Sequence, residues 1–267
     1  MLRSLNSGVS GLKAFQTKLD VIGNNIANVN TVGFKKSRVV FEDIFSQTVK
    51  GASAPSGATP TNTGGTNPIQ VGLGTKVGST DTVFTPGSPT TTNIGTDLYI
   101  DGDGFFQVRD ASGNKLFTRA GNFVVDQNGL LVNQNGMPVL DSGGNEIKVP
   151  TGYISVSVSQ DGSISWLDSS GTPTSSGTPP IKIGVVIVDN PAGLKKVGGS
   201  LYRDTPNAKI SITTSKAQII SGALEMSNVD LSEEMTDMIT AQRGFQANAK
   251  IITVSDSVLE ELVNLKR

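Results

Sequence analysis

Apolar residues recur every seven positions at both ends of this chain, and the pattern stops in between. From Leu5 one register runs Leu5, Leu12, Leu19 and Ile26, and the register three residues later runs Gly8, Phe15, Ile22 and Val29. Seven of these eight positions are apolar. A period of 3.5 is the mark of a helix that packs along another helix, and Gly33 just past the stripe is a stop signal. At the other end Leu231, Met238, Phe245, Ile252 and Leu259 stand seven apart, with Met235, Ala249 and Val263 four residues after the first, third and fifth. Asp230, or Ser232 with Glu233 and Glu234 behind it, supplies capping chemistry, and Lys266 and Arg267 sit where a helix C-terminus prefers cations.

Both termini are therefore expected to be long amphipathic helices, and an antiparallel pair is the simplest way to bury both seams. That pair is marginal. Gly8, Gly11 and Gly23 lie inside the first helix, each costing about 1 kcal/mol relative to Ala. The second carries Gly244 inside it and Gln242, Asn248 and Asp256 on its seam flank. Further copies of the chain would supply the missing contacts.

Between the ends the period switches to two. Strand-like runs are Leu98–Ile100, Phe105–Arg109, Phe123–Asp126, Leu130–Asn133, Ile154–Ser159, Ser163–Leu167 and Ile181–Val188. Asn128-Gly129 and Asp161-Gly162 each divide two of them, which is a strong short-range hairpin cue. Residues 49–68 and 169–180, rich in Gly, Ser, Thr and Pro, read as loops. The expected fold class is α+β, an all-β domain inserted between two helical termini. The expected domains are an inner helix over 1–33, a connecting segment over 34–80, a β-rich outer domain over 81–222 and a second inner helix over 223–267.

Composition removes several functions. With no His and no Cys, thiol nucleophiles, Cys/His zinc sites and Ser-His-Asp triads cannot be built. Twenty-two Lys and Arg stand against 23 Asp and Glu, so the excess of cations that phosphate neutralisation needs is missing. Asp101-Gly-Asp103-Gly104 opens like a calcium loop, but the next ligand slot is Phe105 and the twelfth is Ser112, so it reads as a turn before a strand. Gly72-Leu-Gly74-Thr-Lys-Val-Gly78 has one residue too many for a dinucleotide loop. The acidic residues of the β region sit mostly at turns, with few aromatics to stack a sugar. No catalytic, cofactor or metal site is expected. No apolar run reaches the roughly 18 residues of a membrane span, and the N-terminus lacks the apolar stretch of a signal peptide.

Three long stretches carry a resemblance. Leu19-Asp-Val-Ile-Gly-Asn24-Asn25-Ile-Ala-Asn28-Val-Asn30-Thr31-Val-Gly33-Phe34-Lys35 resembles the N-terminal signature of bacterial flagellar rod and hook proteins. Glu234 through Lys250, containing Gln242, Arg243 and Asn248, resembles the closing segment of the same family, with Ser227-Asn-Val-Asp-Leu before it. Asp101-Gly-Asp-Gly-Phe-Phe-Gln-Val and Phe117 through Leu131 resemble its central β motif. The order of the three is the family's order.

The resemblance implies a structural subunit that stacks helically into the axial tube of the flagellum. The terminal helices would pair as a coiled coil lining the tube, with the β domain outside, and the protein would leave the cell through the flagellar type III export apparatus without a cleaved signal. Phe34-Lys-Lys-Ser-Arg-Val-Val-Phe41 and Asn67 through Gly74 look more like hook proteins, so the flexible hook is the expected member. The distal rod is the alternative, and a secreted β-domain adhesin or hydrolase a remoter one. Expected partners are further copies of the chain, adjacent rod and hook–filament junction proteins, the hook cap and the export apparatus, with neither nucleic acid nor membrane insertion. Phe41-Glu-Asp-Ile-Phe45 fits the pattern that export gates recognise and is the candidate export signal; Phe15-Gln-Thr-Lys-Leu19 fits too, but serves the heptad seam.

Overall fold

The computed structural model describes residues 2–54, 64–150, 153–168, 173–175, 181–214 and 217–265. It is α+β: helix α1 spans Leu2–Ala27, helix α2 spans Leu231–Leu265, and the chain between them forms short strands. Two compact units emerge. The first holds Met1–Asn24, Ser37–Asp81 and Ser232–Arg267; the second holds Asn25–Lys36 and Thr82–Leu231.

In the first unit a two-stranded ribbon accompanies the helices. Ser37–Asp43 pairs with Thr75–Thr82, and Ser46–Lys50 continues the ribbon against Ile69–Gly72. Val49 and Lys50, the start of the expected 49–68 loop, are thus in a strand, and a bridge from Ser53 to Thr66 extends the pairing, while residues 55–63 lie outside the described residues. Loop-like composition misleads here because Ser and Thr suit a ribbon wet on both faces. Phe45, Val49, Ile69 and Val71 are exposed on it.

The second unit is built on a six-stranded antiparallel sheet. Its strands lie in the order Lys195–Gly198, Leu201–Arg203, Lys115–Thr118, Phe105–Arg109, Val185–Val188 and Ile210–Thr214. Side chains alternate between the faces of a strand, and here both faces are covered. Phe106 and Val108 point into the main core with Leu98, Ile100, Leu116, Phe123, Val139, Ile147 and Trp166. Phe105 points the other way, into a cluster with Phe117, Val186, Leu194 and Tyr202. Two adjacent phenylalanines are what a strand buried on both sides requires.

Both hairpin cues mark real turns. Val124–Val125 pairs with Leu131–Val132 around Asn128-Gly129, and Tyr153–Val158 pairs with Ile164–Asp168 around Asp161-Gly162. Gly129 and Gly162 each take φ 77°, the left-handed region that such turns require. The expected loop over 169–180 needs correcting, since Pro173–Ser175 adds a third strand to the second hairpin; the remainder of that loop lies outside the described residues. The expected strand Ile181–Val188 shortens to Val185–Val188, preceded by single bridges at Lys182 and Ile183. Toward the C-terminal end of this unit's sequence, Gln218–Ser221 pairs with Leu98–Asp101, and Ala223–Glu225 with Pro89–Thr91.

Candidate assembly interface

The two terminal helices meet through small residues. A β-carbon built on Gly8 would lie 3.5 Å from Ile252 Cγ1, one on Gly11 would lie 2.9 Å from Asn248 Oδ1, and one on Gly244 would lie 2.6 Å from the Phe15 ring. Contact positions rise on α1 as they fall on α2, so the helices run antiparallel. Lys18 Nζ reaches Asp237 Oδ2 at 3.4 Å further along the same line. On α1 the buried face is Gly8, Gly11, Ala14, Ile22 and Asn25, while Leu5, Leu12, Phe15, Leu19 and Ile26 are half-buried beside it.

On α2 the buried residues are Glu234, Ala241 and Ser255, with Met238, Gly244, Asn248, Ala249, Ile252 and Leu259 half-buried. Glu234, Ala241, Asn248 and Ser255 stand seven apart, a register that a count of apolar residues passes over. Large apolar side chains remain outside. At about 100° per residue, Leu231, Met235 and Ile239 climb one flank of α2, and Ile251, Val254, Val258 and Leu262 climb the opposite flank. Phe245 and Val263 are also exposed. Isolated apolar residues on a surface are ordinary, but rows of this length on a helix mark a contact face. Gln242 and Arg243 are exposed, and Arg243 Nη1 donates to Gln246 Oε1 at 3.3 Å.

The Asn-rich motif does not continue the helix. α1 stops at Ala27, so Asn28, Val29, Asn30 and Thr31 lie in turns, with Thr31 N donating to the Asn28 carbonyl at 3.1 Å and Thr31 Oγ1 hydrogen-bonded to Asn28 Oδ1. Asn24 is exposed and Asn25 buried. Gly33 has φ 65°, and a β-carbon there would run into the backbone of Ala120, so no other residue fits. Phe34 is buried beneath Lys196, whose Nζ lies 4.0 Å from the ring centroid.

Lys35 ends in a cluster that sequence reading did not find. Its Nζ donates to Glu225 Oε1 at 2.6 Å and to the Thr85 carbonyl at 2.7 Å. Arg119 Nη1 reaches Glu225 Oε2 at 3.3 Å, and its Nη2 donates to the Gly102 carbonyl at 2.7 Å. Gly87 N donates to Glu225 Oε1 at 2.9 Å, and Gly33 N to the Glu225 carbonyl at 2.8 Å. All three charged groups are buried, with Lys35 and Glu225 at 0% exposure and Arg119 at 3%. Burial pushes the Lys35 ammonium below its ordinary value, a shift that Glu225 opposes and Arg119 reinforces. Nearby, Asn228 accepts from Lys36 N at 2.8 Å and donates to the Val83 carbonyl at 2.9 Å. Lys35 and Arg119 both lie in stretches that carried the resemblance; the available signal was a charge embedded in apolar and glycine-rich sequence.

Phe41 and Phe45, the export candidates, are on the ribbon. Phe41 is part-exposed, its ring 5.6 Å from that of Phe15, and Phe45 is 87% exposed.

Comparison with known families accounts for the three motifs. A profile described as the flagellar hook protein FlgE/F/G D1 domain matches residues 99–166. Another, flagella basal body rod protein, matches residues 5–35, and a third, flagellar basal body rod FlgEFG protein C-terminal, matches residues 220–265. The flagellar basal-body rod protein FlgG of Bacillus subtilis (strain 168) is 51% identical over 273 residues, spanning 100% of both chains. This chain belongs to the flagellar hook and basal-body rod family. Members of the family are structural proteins and not enzymes. The FlgG rod protein of Borreliella burgdorferi is 39% identical over 275 residues, again with 100% of both chains covered. The flagellar hook protein FlgE of the same organism is 31% identical, in an alignment that runs to 448 residues. Each member of the buried ion cluster falls in a different matched stretch: Lys35 in the first, Arg119 in the central one and Glu225 in the last.

The preference for a hook protein is less well supported by these matches than its alternative, the distal rod. It rested on residues 34–41 and 67–74, which are short. Among end-to-end alignments the rod proteins match at nearly this chain's own length and at higher identity, whereas the hook alignment needs long insertions; the hook protein FlgE of Treponema pallidum is 54% identical, but over 52% of this chain.

Proposed function

We propose that the chain is a distal rod subunit of the bacterial flagellum, a straight drive shaft built by helical stacking of many copies. End-to-end colinearity with rod proteins of matching length carries this reading. The terminal helices pair as a coiled coil on the inner side of the tube, and the β-rich unit forms its outside. The small-residue seam supports that arrangement, because it closes the pair while leaving two apolar flanks of α2 for neighbouring copies.

The self-assembly residues are those of the heptads together with the exposed flanks. Neighbours along the axis are other rod proteins and the hook; the hook cap and the hook–filament junction proteins belong to the hook reading. Export by the type III apparatus is served by Phe41 and Phe45, both of them accessible on the ribbon. Localisation is the flagellar basal body. Among the described residues no helix is long and apolar enough to cross a membrane.

Electron microscopy of the polymer made by the full chain tests the proposal. A short straight tube is expected, and a curved one selects the hook instead. Deleting residues 1–30 should abolish the polymer and leave the fluorescence of Trp166, the chain's single Trp, in its folded form.

A further inference from the structure

The helix pair is keyed by two reciprocal fits. Phe15 of α1 presses its ring onto the bare Cα of Gly244 in α2, and Asn248 of α2 places its carboxamide against the bare Cα of Gly11 in α1. Each helix supplies one glycine hole and receives one side chain from the other. Gly244 serves both fits, since its carbonyl accepts the Asn248 Nδ2 hydrogen bond at 3.0 Å that holds the carboxamide in place. Phe15 is held from behind by Phe41, 5.6 Å away between centroids. The other half-buried residues of α2, such as Met238, Ile252 and Leu259, are flexible or aliphatic and would pack comparably after a slip of one turn.

We propose that Gly244, Asn248, Phe15 and Gly11 form a register lock: they fix the axial and rotational setting of α1 against α2, and so determine which side chains the pair presents to neighbouring copies. Asn248 is half-buried and tied to its own helix, so it specifies register by shape: its carboxamide fits where the facing residue lacks a β-carbon. A slip of one turn brings Asn248 onto Ala14 in one direction; in the other it meets Gly8, which also lacks a β-carbon, and there the lock rests on Phe15, carried off Gly244 onto Ala241. The outward rows Leu231–Met235–Ile239 and Ile251–Val254–Val258–Leu262 then turn to a different angle. The inference rests on the helix pairing proposed above.

The chain has no cysteine, so a disulfide can be introduced to report register. Gly8→Cys with Ile252→Cys joins positions that face each other in the observed setting. The full chain carrying this pair is oxidised as soluble protein and as polymer, and scored for cross-link and for sedimenting polymer. Gly244→Ala and Gly11→Ala are each expected to lower the cross-link roughly thirtyfold, in the middle of the range that overpacking costs. Phe15→Leu should restore it in the Gly244→Ala chain, and Asn248→Ala in the Gly11→Ala chain. Gly23→Ala is the control, since its β-carbon meets nothing within 4 Å, and it should leave both readouts unchanged. Full cross-linking in Gly244→Ala, failure of both rescues, or an equal loss in Gly23→Ala each overturns the lock. A parent pair that does not cross-link at all refutes instead the helix pairing on which the proposed function rests.

Discussion

Replacing Glu225 by Gln tests the ion cluster most directly. The carboxylate faces two buried cations, Lys35 Nζ at 2.6 Å and Arg119 Nη1 at 3.3 Å. Glutamine has the same shape, and its carbonyl can still accept from Lys35 and Gly87. Its NH2 group then meets Arg119, donor against donor, and both cations are left buried with no counter-charge. Removing one partner of a buried charged cluster costs about 3–5 kcal/mol. For a unit of this size each kcal/mol moves the melting temperature by about 2–4 °C, so the expected drop is about 6–20 °C. The single tryptophan, Trp166, is buried in the core of the same unit, so its fluorescence reports this unit's unfolding and not that of the helices. Lys35→Met should cost less than Glu225→Gln, because it leaves Arg119 and Glu225 as a balanced pair. A Glu225→Gln loss below about 1 kcal/mol, the scale of one neutral hydrogen bond, would refute the account of Glu225 as the group that makes the two cations tolerable.

The Tyr202 hydroxyl is buried and has no hydrogen-bond partner among the described residues, so Tyr202→Phe should raise stability by about 1 kcal/mol in urea unfolding at neutral pH. Burial, with Glu225 adding to it, also holds that hydroxyl protonated well above its ordinary 10.0. The unfolded chain therefore sheds this proton first, stability falls as pH rises past about 10, and Tyr202→Phe should flatten the fall. Lys35 acts in the opposite sense. Its lowered value means that unfolding takes up a proton below 10.5, so its contribution grows as pH rises through that window; burial lowers Lys196 in the same sense, so the slope should shrink but persist in Lys35→Met. Gly33→Ala should cost about 1–3 kcal/mol by the same fluorescence assay, from its positive φ and the clash with Ala120. Phe41→Ala should reduce the secreted fraction of the chain; normal secretion removes Phe41 as the export signal.

Local chemistry was readable wherever one residue type dictates a conformation. Asn128-Gly129 and Asp161-Gly162 mark hairpins because glycine alone adopts that turn without strain, and the heptads mark helices because the period is long. The inward face of α2 leaves little trace in the sequence because Glu234, Ala241, Asn248 and Ser255 are polar or small, whereas a heptad seam is legible through large apolar residues. The helix also ends at Ala27 and not near Gly33, since the Asn-rich turn competes with the backbone for its own hydrogen bonds. The Ser46–Lys50 and Ile69–Gly72 strands are exposed along their whole length, and the Ser37–Asp43 and Thr75–Thr82 strands carry little apolar alternation, so the ribbon leaves no strand signal in the sequence. Glu225 gave no local signal at all; its partners are 190 and 106 residues away along the chain.

That separation has a kinetic consequence. A chain delivered from its N-terminus, as any chain leaving a ribosome is, presents Lys35 early and Arg119 midway. Neither can be buried at low cost until Glu225 arrives, by which time only the lead into α2 and α2 itself are still to come. The β-rich unit therefore cannot close on a partial chain. The loop that joins the first cation to its carboxylate spans 190 of the protein's 267 residues, and its closure entropy is met late. Completion of the unit is timed to the arrival of the segment that carries the second helix.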